Sequence, residues 1–513
     1  MNNANKVGQL KVLEIIGLES LSSILHEKSY ETSLSKKMIV NENHFFPKTI
    51  INSNSNLLEH ILFSLKHETY NLFALMAGLR NVSIEDIESE LIKNPNGVFA
   101  RKAAFLWENA NNTEINSGII NVSSKYIDFF DSEKYITGTD KKNSKWRVNF
   151  NGIGDLNWCP VIVKTKELES LFKEDIVKKT ILFLKKTDKR ILDRAIEWSY
   201  LSETKGSFAI ENEKPSQKKS EAFVNLLKKS KDNEIISEEY LCQLQNEVVN
   251  SPFDQAVSYR TEQNWLQREG SRGVSSITYV PPEPILSDSI MKSIENLANN
   301  PGEIDPVCLA SAISFGFVFT HPFMDGNGRI SRFLIHHALN KSPEMPKNIL
   351  LPISVAMKDN ESDYLSSLEK FSLPARKFCD VQYIGIDDFS FSWKRDADLF
   401  FRFPELTEQT VFLSKMADLS LTKILESEIE FLTIYDRIEK TINDNYDIRG
   451  NILAEIISSA LNNNGVISKN KLKKFSGYVM PDVLEQAQLI ITNEIHDFHQ
   501  EKSESGQLDW HPL

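Results

Sequence analysis

The residues with the most chemistry per position lie between Thr320 and Arg332, in THPFMDGNGRISR. His321 is an imidazole suited to taking a proton near neutral pH. Asp325 is a hard oxygen ligand of the kind magnesium accepts while keeping water and bridging phosphates. Gly326 and Gly328 allow positive φ and a close approach of backbone to ligand. Arg329 and Arg332 are three apart, so on a helix they share a face and both reach one polyphosphate. Any one of these residues is better read as part of a helix corner. Together, a base, a magnesium ligand, an anion-binding loop and two guanidiniums describe phosphoryl or nucleotidyl transfer.

Such a set needs firm elements on both sides. Before it, Leu309, Ile313 and Phe317 recur at helical spacing, with Ala312 and Phe319 beside the stripe, which predicts a buried helix. After it, Ile330, Phe333, Leu334 and Ala338 form a second stripe. The chemistry therefore sits where one helix stops and the next begins, and a helix N-terminus favours an anion.

HPFMDGNGRISR resembles the Fic motif, HPF-x-D/E-G-N-G/K-R-x-x-R, at every specified position. The resemblance extends upstream through YRTEQNWL and YVPPEP, runs to Leu339, continues more weakly to about residue 400, and leaves the first 160 residues outside it. It implies that His321 deprotonates a hydroxyl of a target protein, whose oxygen attacks the α-phosphorus of ATP and releases pyrophosphate. Asp325 would hold Mg²⁺ between the α- and β-phosphates. Gly326, Asn327 and Gly328 would form the anion-binding loop, with Arg329 and Arg332 on the outer phosphates. Kinase-like relatives carry lysine at position 328, so glycine there implies AMP transfer.

Residues 207–212, SFAIEN, resemble the family's inhibitory motif, S/T-x-x-x-E-G/N, through Ser207, Glu211 and Asn212. Its place before the Fic motif implies the class that carries its brake on an N-terminal helix, here near 207–213. A glutamate paired with Arg332 would neutralise the guanidinium that receives the γ-phosphate, and the same glutamate is expected to place water for AMP removal. The stretch 263–280 predicts a hairpin similar to the family's flap, which pairs with the backbone of the target segment. LPISVAMKDNESDYLSSL resembles the adenosine-binding segment NR-x-x-YY-x-x-L through Asn360 and Tyr364. Glu361 and Leu365 replace the arginine and the second tyrosine, which leaves nucleotide preference open.

The chain's 513 residues exceed one ordinary core. The expected class is mainly α, in three regions. Residues 1–165 are helical and then strand-containing, with GIINV, YIDFF, WRVNF and PVIVKT as short β-like runs. Residues 166–395 form a Fic-type helical core with its hairpin, and 396–513 a helical extension, with a winged helix as one form of it. Gly152-Ile153-Gly154 lacks the third glycine of a dinucleotide loop.

Lys plus Arg is 59 and Asp plus Glu 71, a net charge of −12. Such a surface repels polyanions, so non-specific nucleic-acid binding is not the expected activity. Lys469, Lys471, Lys473 and Lys474 make a basic patch read as a solvated helix face, with DNA or protein contact left open. Glu494, His496 and His499 are read as a polar helix end, and the adjacent His336 and His337 as packing or surface residues. Cys159, Cys242, Cys308 and Cys379 form no Cys-x-x-Cys pair and suit a reducing cytosol. No signal-peptide run opens the chain, and ISFGFVF is far shorter than the roughly 20 residues that span a bilayer. A cytoplasmic protein is expected, with ATP, magnesium and a protein substrate as partners, no membrane, and homo-oligomerisation left open.

The functional expectation is an autoinhibited protein adenylyltransferase acting on a Ser, Thr or Tyr hydroxyl, self-modification included. The alternatives are AMP removal, transfer of another nucleotide such as UMP, and a non-catalytic ATP sensor acting through its flanking regions.

Overall fold

A computed structural model describes residues 5–116, 118, 122–232, 234–249, 251–268, 270–347, 349–385, 388–463 and 465–504. The chain divides into two compact units that interleave, rather than into three consecutive regions. The first comprises Met1–Asp175, Glu211–Met345 and Asn360–Lys415; the second comprises Ile176–Ile210, Pro346–Asp359 and Met416–Leu513.

The first unit opens with α1 (Gly8–Ile15) and a small sheet of order β1-β3-β2, made by β1 (Lys28–Thr32), β2 (Met38–Val40) and β3 (Asn43–Pro47). Helices α2 (Leu57–His67), α3 (Leu72–Leu79), α4 (Ile84–Lys93) and α5 (Val98–Asn111) follow. Their starts have local causes. Asn56 and Glu59 form a capping box on α2, and Asn71 and Ser83 accept backbone N–H groups of α3 and α4. Every residue of α3 is buried, as its all-apolar sequence demands.

The strand-like texture beyond 117 becomes a second sheet of order β4-β6-β5, with β4 (Ile127–Asp128), β5 (Lys141–Asn143) and β6 (Val148–Phe150). Residues 119–121 of GIINV lie outside the described residues. Helix α6 (Lys166–Lys173) closes this part of the unit.

The chain passes through α7 (Ile176–Lys186) and the long α8 (Lys189–Ile210) of the second unit. It returns to the first unit with α9 (Gln217–Lys229) and α10 (Glu238–Val248), capped by Ser216 and Ser237. The expected hairpin is present as β7 (Leu266–Gln267) antiparallel to β8 (Ile277–Tyr279). Then come α11 (Pro284–Asn299), α12 (Pro306–Thr320) and α13 (Asn327–Leu339). Both predicted stripes are core: Ile313, Phe317, Ile330, Phe333, Leu334 and Ala338 are all buried. A Cβ on Gly316 of α12 would overlap the Trp158 ring, so the strand-containing insert packs directly on this helix.

Helix α14 (Ile353–Asp359) belongs to the second unit and α15 (Glu361–Arg376) to the first. Phe371 of α15 stacks on Phe319 at 4.2 Å, which ties α15 to the end of α12. Strands β9 (Cys379–Gly385) and β10 (Asp388–Trp393) form a hairpin behind the flap, where Trp265 meets Phe389 and Phe391.

After α16 (Ala397–Arg402) and α17 (Thr407–Leu419), a π-helical turn leads into α18 (Glu426–Asn443), then α19 (Gly450–Leu461), α20 (Lys469–Phe475) and α21 (Pro481–Glu504). Ile438, Ile442, Ile456, Ile457, Phe475 and Ile491 form the core of this extension. Among the described residues it contains no strand, so none of them forms the wing of a winged helix; short turns join its helices instead. Of its four basic-patch lysines, Lys471 and Lys474 both reach Glu455. Glu494 accepts from Thr441. Among the described residues no helix is long and apolar enough to cross a membrane.

Candidate active site

Helix α12 is started by Asp305, which accepts from the N–H groups of Val307 (2.9 Å) and Cys308 (3.1 Å), with Pro306 in the first turn. It stops because His321 adopts a left-handed conformation, φ 51° and ψ 58°. A residue with a Cβ there costs about 1–2 kcal/mol. The turn throws the imidazole back onto its own helix, with Nδ1 3.1 Å from the Val318 carbonyl. A carbonyl can only accept, so Nδ1 carries the proton and Nε2 keeps a lone pair. Burial pushes the His321 pKa down to about 4, aided by the Arg260 guanidinium and opposed by the Val318 bond, Glu211 and Asp325. At neutral pH the ring is an uncharged base.

The loop that follows is closed from within. Asn327 accepts from the Phe323 N–H (3.0 Å) and donates to the Phe323 carbonyl (2.8 Å). Its side chain therefore holds the loop's shape, and only its backbone is left to face a ligand. Gly326 has φ 88°, and a Cβ there would stand 3.2 Å from Val248 and 3.3 Å from Val249. The positive φ favours glycine, and the close valines leave little room for a side chain. The Gly326 N–H donates to Asp325 Oδ1 at 2.6 Å. Helix α13 then begins with no side-chain cap.

Both arginines are buried and engaged by acids. Arg332 Nη2 donates to Glu211 Oε1 at 2.8 Å. Arg329 Nη1 donates to Glu213 Oε2 and to the Val248 carbonyl, each at 2.9 Å, while its Nη2 reaches Asp325 Oδ1 at 3.2 Å. Glu211 directly follows the last residue of α8, and Asn212 turns the chain with φ 56°. The Glu211 carboxylate lies against Gly328, where any Cβ would overlap its Oε1. Burial alone would raise the Glu211 carboxyl; Arg332, with Arg329 and His321, outweighs this and holds it below the usual carboxylate range.

The Tyr364 hydroxyl is a neighbour of the Arg332 guanidinium, and burial pushes its pKa up. Its ring stacks on Phe412 at 5.7 Å. The structure thus gathers His321, Asp325, Gly326, Asn327, Gly328, Arg329, Arg332, Glu211 and Tyr364. Ser207 is buried in α8 one turn before Glu211, and Asn360 precedes α15 one turn before Tyr364.

Four residues that sequence reasoning did not single out also make contacts here. Glu213 holds Arg329. Gln245 of α10 donates to the Asp325 carbonyl at 3.2 Å. Arg260 and Asn264 bond the backbone around His321. For the last two the signal was present, since both lie in YRTEQNWL, but their partners are backbone carbonyls that no motif displays.

Residues 235–339 match the Fic/DOC family. The chain carries a Fic domain. The match starts just before α10, takes in the flap hairpin and ends with α13, so Glu211 and Glu213 lie upstream of it.

The chain is 28% identical over 154 residues to protein adenylyltransferase fic-1 of Caenorhabditis elegans. That match covers 29% of this chain and 27% of the relative, so the chain spans about a quarter of its length. Among solved structures, a Fic domain containing signaling protein from Bacteroides thetaiotaomicron is 18% identical with a TM-score of 0.36, covering 51% of this chain and 97% of that one. A Fic family protein from Desulfovibrio desulfuricans is 16% identical with a TM-score of 0.38, covering 64% and 89%.

Proposed function

We propose that the protein is an autoinhibited adenylyltransferase that moves AMP from ATP to a Ser, Thr or Tyr hydroxyl of a protein, its own included. His321 Nε2 takes the hydroxyl proton while that oxygen bonds to the α-phosphorus. The bond from the α-phosphorus to the bridging oxygen breaks, and pyrophosphate leaves with its electron pair. The uncapped first turn of α13, with Asn327 and Gly328, offers backbone N–H groups to the phosphates. Arg329 and Arg332 offer the balancing charge.

Asp325 suits a magnesium ion. Its side chain is 46% exposed, and Oδ2 lies at a long 3.4 Å from Arg329. Among the described residues no group of three or more His, Cys, Asp or Glu is placed to hold a metal. The other ligands of such an ion would therefore be phosphate oxygens and water, the usual state of magnesium at nucleotide sites. Bound there, it supplies charge neutralisation to the leaving pyrophosphate.

The observation that carries the reading is the 2.8 Å pair between Glu211 and Arg332, set against Gly328 and in the same site as an uncharged His321. It supports a site built for a triphosphate and held closed by a carboxylate that takes the phosphate's place. Incubation of the wild type, Glu211→Gly and His321→Ala proteins with labelled ATP and magnesium tests it. Label should appear strongly on the first variant and not on the second. An active His321→Ala protein would remove the base from the scheme. The 35% exposure of the Glu211 side chain is compatible with a second role, orienting water for AMP removal. Starting the assay from AMP-modified protein reads that reverse reaction.

A further inference from the structure

Arg260 is buried, yet among the described residues the acceptors of its guanidinium are neutral carbonyls. Nε donates to His321 (2.9 Å), Nη1 to Glu262 (3.1 Å) and Nη2 to Pro282 (2.5 Å). Its own N–H donates to the Pro322 carbonyl at 2.8 Å. Burying a cation on carbonyls alone is costly, and burial lowers the Arg260 pKa to about 10, still charged at neutral pH. Such an arrangement calls for a reason other than stability.

The three carbonyls supply one. Glu262 precedes β7 and Pro282 follows β8, so they are the two feet of the flap hairpin. The third belongs to His321, whose left-handed backbone aims the imidazole. Asn264, also buried, donates to the same His321 carbonyl (3.3 Å) and to that of Phe323 (2.8 Å). A further tie runs from the Tyr279 hydroxyl of β8 to the Phe319 carbonyl in the last turn of α12 (2.5 Å). One planar fork therefore joins both feet of the flap to the backbone of the base, and Asn264 doubles the bond at the histidine.

We infer that Arg260, with Asn264, is a positioning residue that fixes the flap and His321 in one register, so that an acceptor segment held on the flap presents its hydroxyl to Nε2. This rests on the transferase reading above. The bonds of Arg260 go to His321, Pro322 and the feet of the flap, not to the glycines or arginines of the loop and α13, so its role falls on the alignment of acceptor and base rather than on ATP binding. Lysine cannot replace it, because one ammonium does not span three divergent carbonyls.

The test places Arg260→Lys, Arg260→Gln and Asn264→Ala in the Glu211→Gly protein and measures kcat, KM for ATP and melting temperature. Both Arg260 variants should lose about 100-fold in kcat, the cost of misplacing reacting groups by about 1 Å. Asn264→Ala should lose about tenfold, the worth of one well-placed hydrogen bond. KM for ATP should stay within about twofold in all three, because the interaction is not made to the nucleotide. Retained kcat in a folded variant, or a loss confined to KM for ATP, overturns the inference. If the Arg260 variants fail to fold, Asn264→Ala decides it alone. If the Glu211→Gly parent transfers nothing, the transferase reading fails and takes this inference with it. If the parent transfers and the series keeps its kcat, the inference alone fails.

Discussion

Replacing Glu211 by glycine removes both a charge and a volume, and the structure separates their weights. The charge part is one carboxylate–guanidinium hydrogen bond at 2.8 Å. Such bonds are worth about 1.5–3 kcal/mol when shielded. With the Glu211 side chain 35% exposed, solvent screening brings this to the lower end, about tenfold in the apparent affinity for nucleotide. The volume part is larger. The carboxylate rests on Gly328, where the backbone should meet phosphate, and displacing the α-phosphate by about 1 Å costs roughly 100-fold in rate. Glu211→Gly should therefore raise kcat for label transfer from ATP about 100-fold and lower KM no more than about tenfold. Glu211→Gln, which keeps the volume and drops the charge, should recover the KM change and little of the kcat change. Initial rates over an ATP titration with magnesium in excess separate the two. A Glu211→Gly protein that binds ATP and transfers within about twofold of the wild-type rate would refute the reasoning. Acid is a poor substitute for the mutation. Because the Glu211 carboxyl titrates below its usual range, the pair outlasts ordinary glutamates on acidification and is lost only as pH falls through the depressed value.

Four other outcomes are expected. In the Glu211→Gly protein the acid limb of the pH–rate profile should lie no higher than about pH 4, since His321 stays uncharged down to there; a limb near 6.5 would mean a solvated imidazole. The unfolded chain binds a proton at His321 near pH 6.5 and the folded chain near 4, so this site makes stability fall on acidification between those values. His321→Asn should flatten that part of a denaturation-against-pH curve. Glu213→Gln added to Glu211→Gly should raise transfer a further two- to five-fold, about the worth of a partly exposed ion pair, and a fall would show that Glu213 orients Arg329 productively. Gly316→Ala should cost about 1–3 kcal/mol in denaturant unfolding, because its Cβ would overlap the buried Trp158 ring; an unchanged midpoint would mean the insert can yield there.

The grouping of His321 to Arg332 was legible because these residues are contiguous within one helix–loop–helix corner. Glu211 was legible through its own short motif. What stayed hidden were pairings across long separations. Glu213 meets Arg329 over 116 residues, and Arg260 meets the His321 carbonyl over 61. Neither partner in such pairs is unusual until the fold brings them together. The helices of the Fic domain followed from apolar spacing, and the flap from its Gly- and Ser-rich turn. The sheet of β1, β2 and β3 was missed because its strands are three to five residues long, β1 pairs in parallel with β3, and the β2–β3 hairpin turns on Asn41 and Glu42 without a glycine. The interleaving of the two units was also illegible, since it depends on where α7, α8 and α14 pack and not on any change in composition.

The central claim is that His321 and the glycine loop pass AMP to a hydroxyl once Glu211 is withdrawn. The most direct measurement is the intact mass, followed by peptide mapping, of the Glu211→Gly protein after incubation with ATP and magnesium. A mass gain of one AMP on a Ser, Thr or Tyr side chain, with pyrophosphate released and no gain in the companion His321→Ala sample, is the predicted result. Bound ATP with no adduct, or an adduct of phosphate alone, would contradict it.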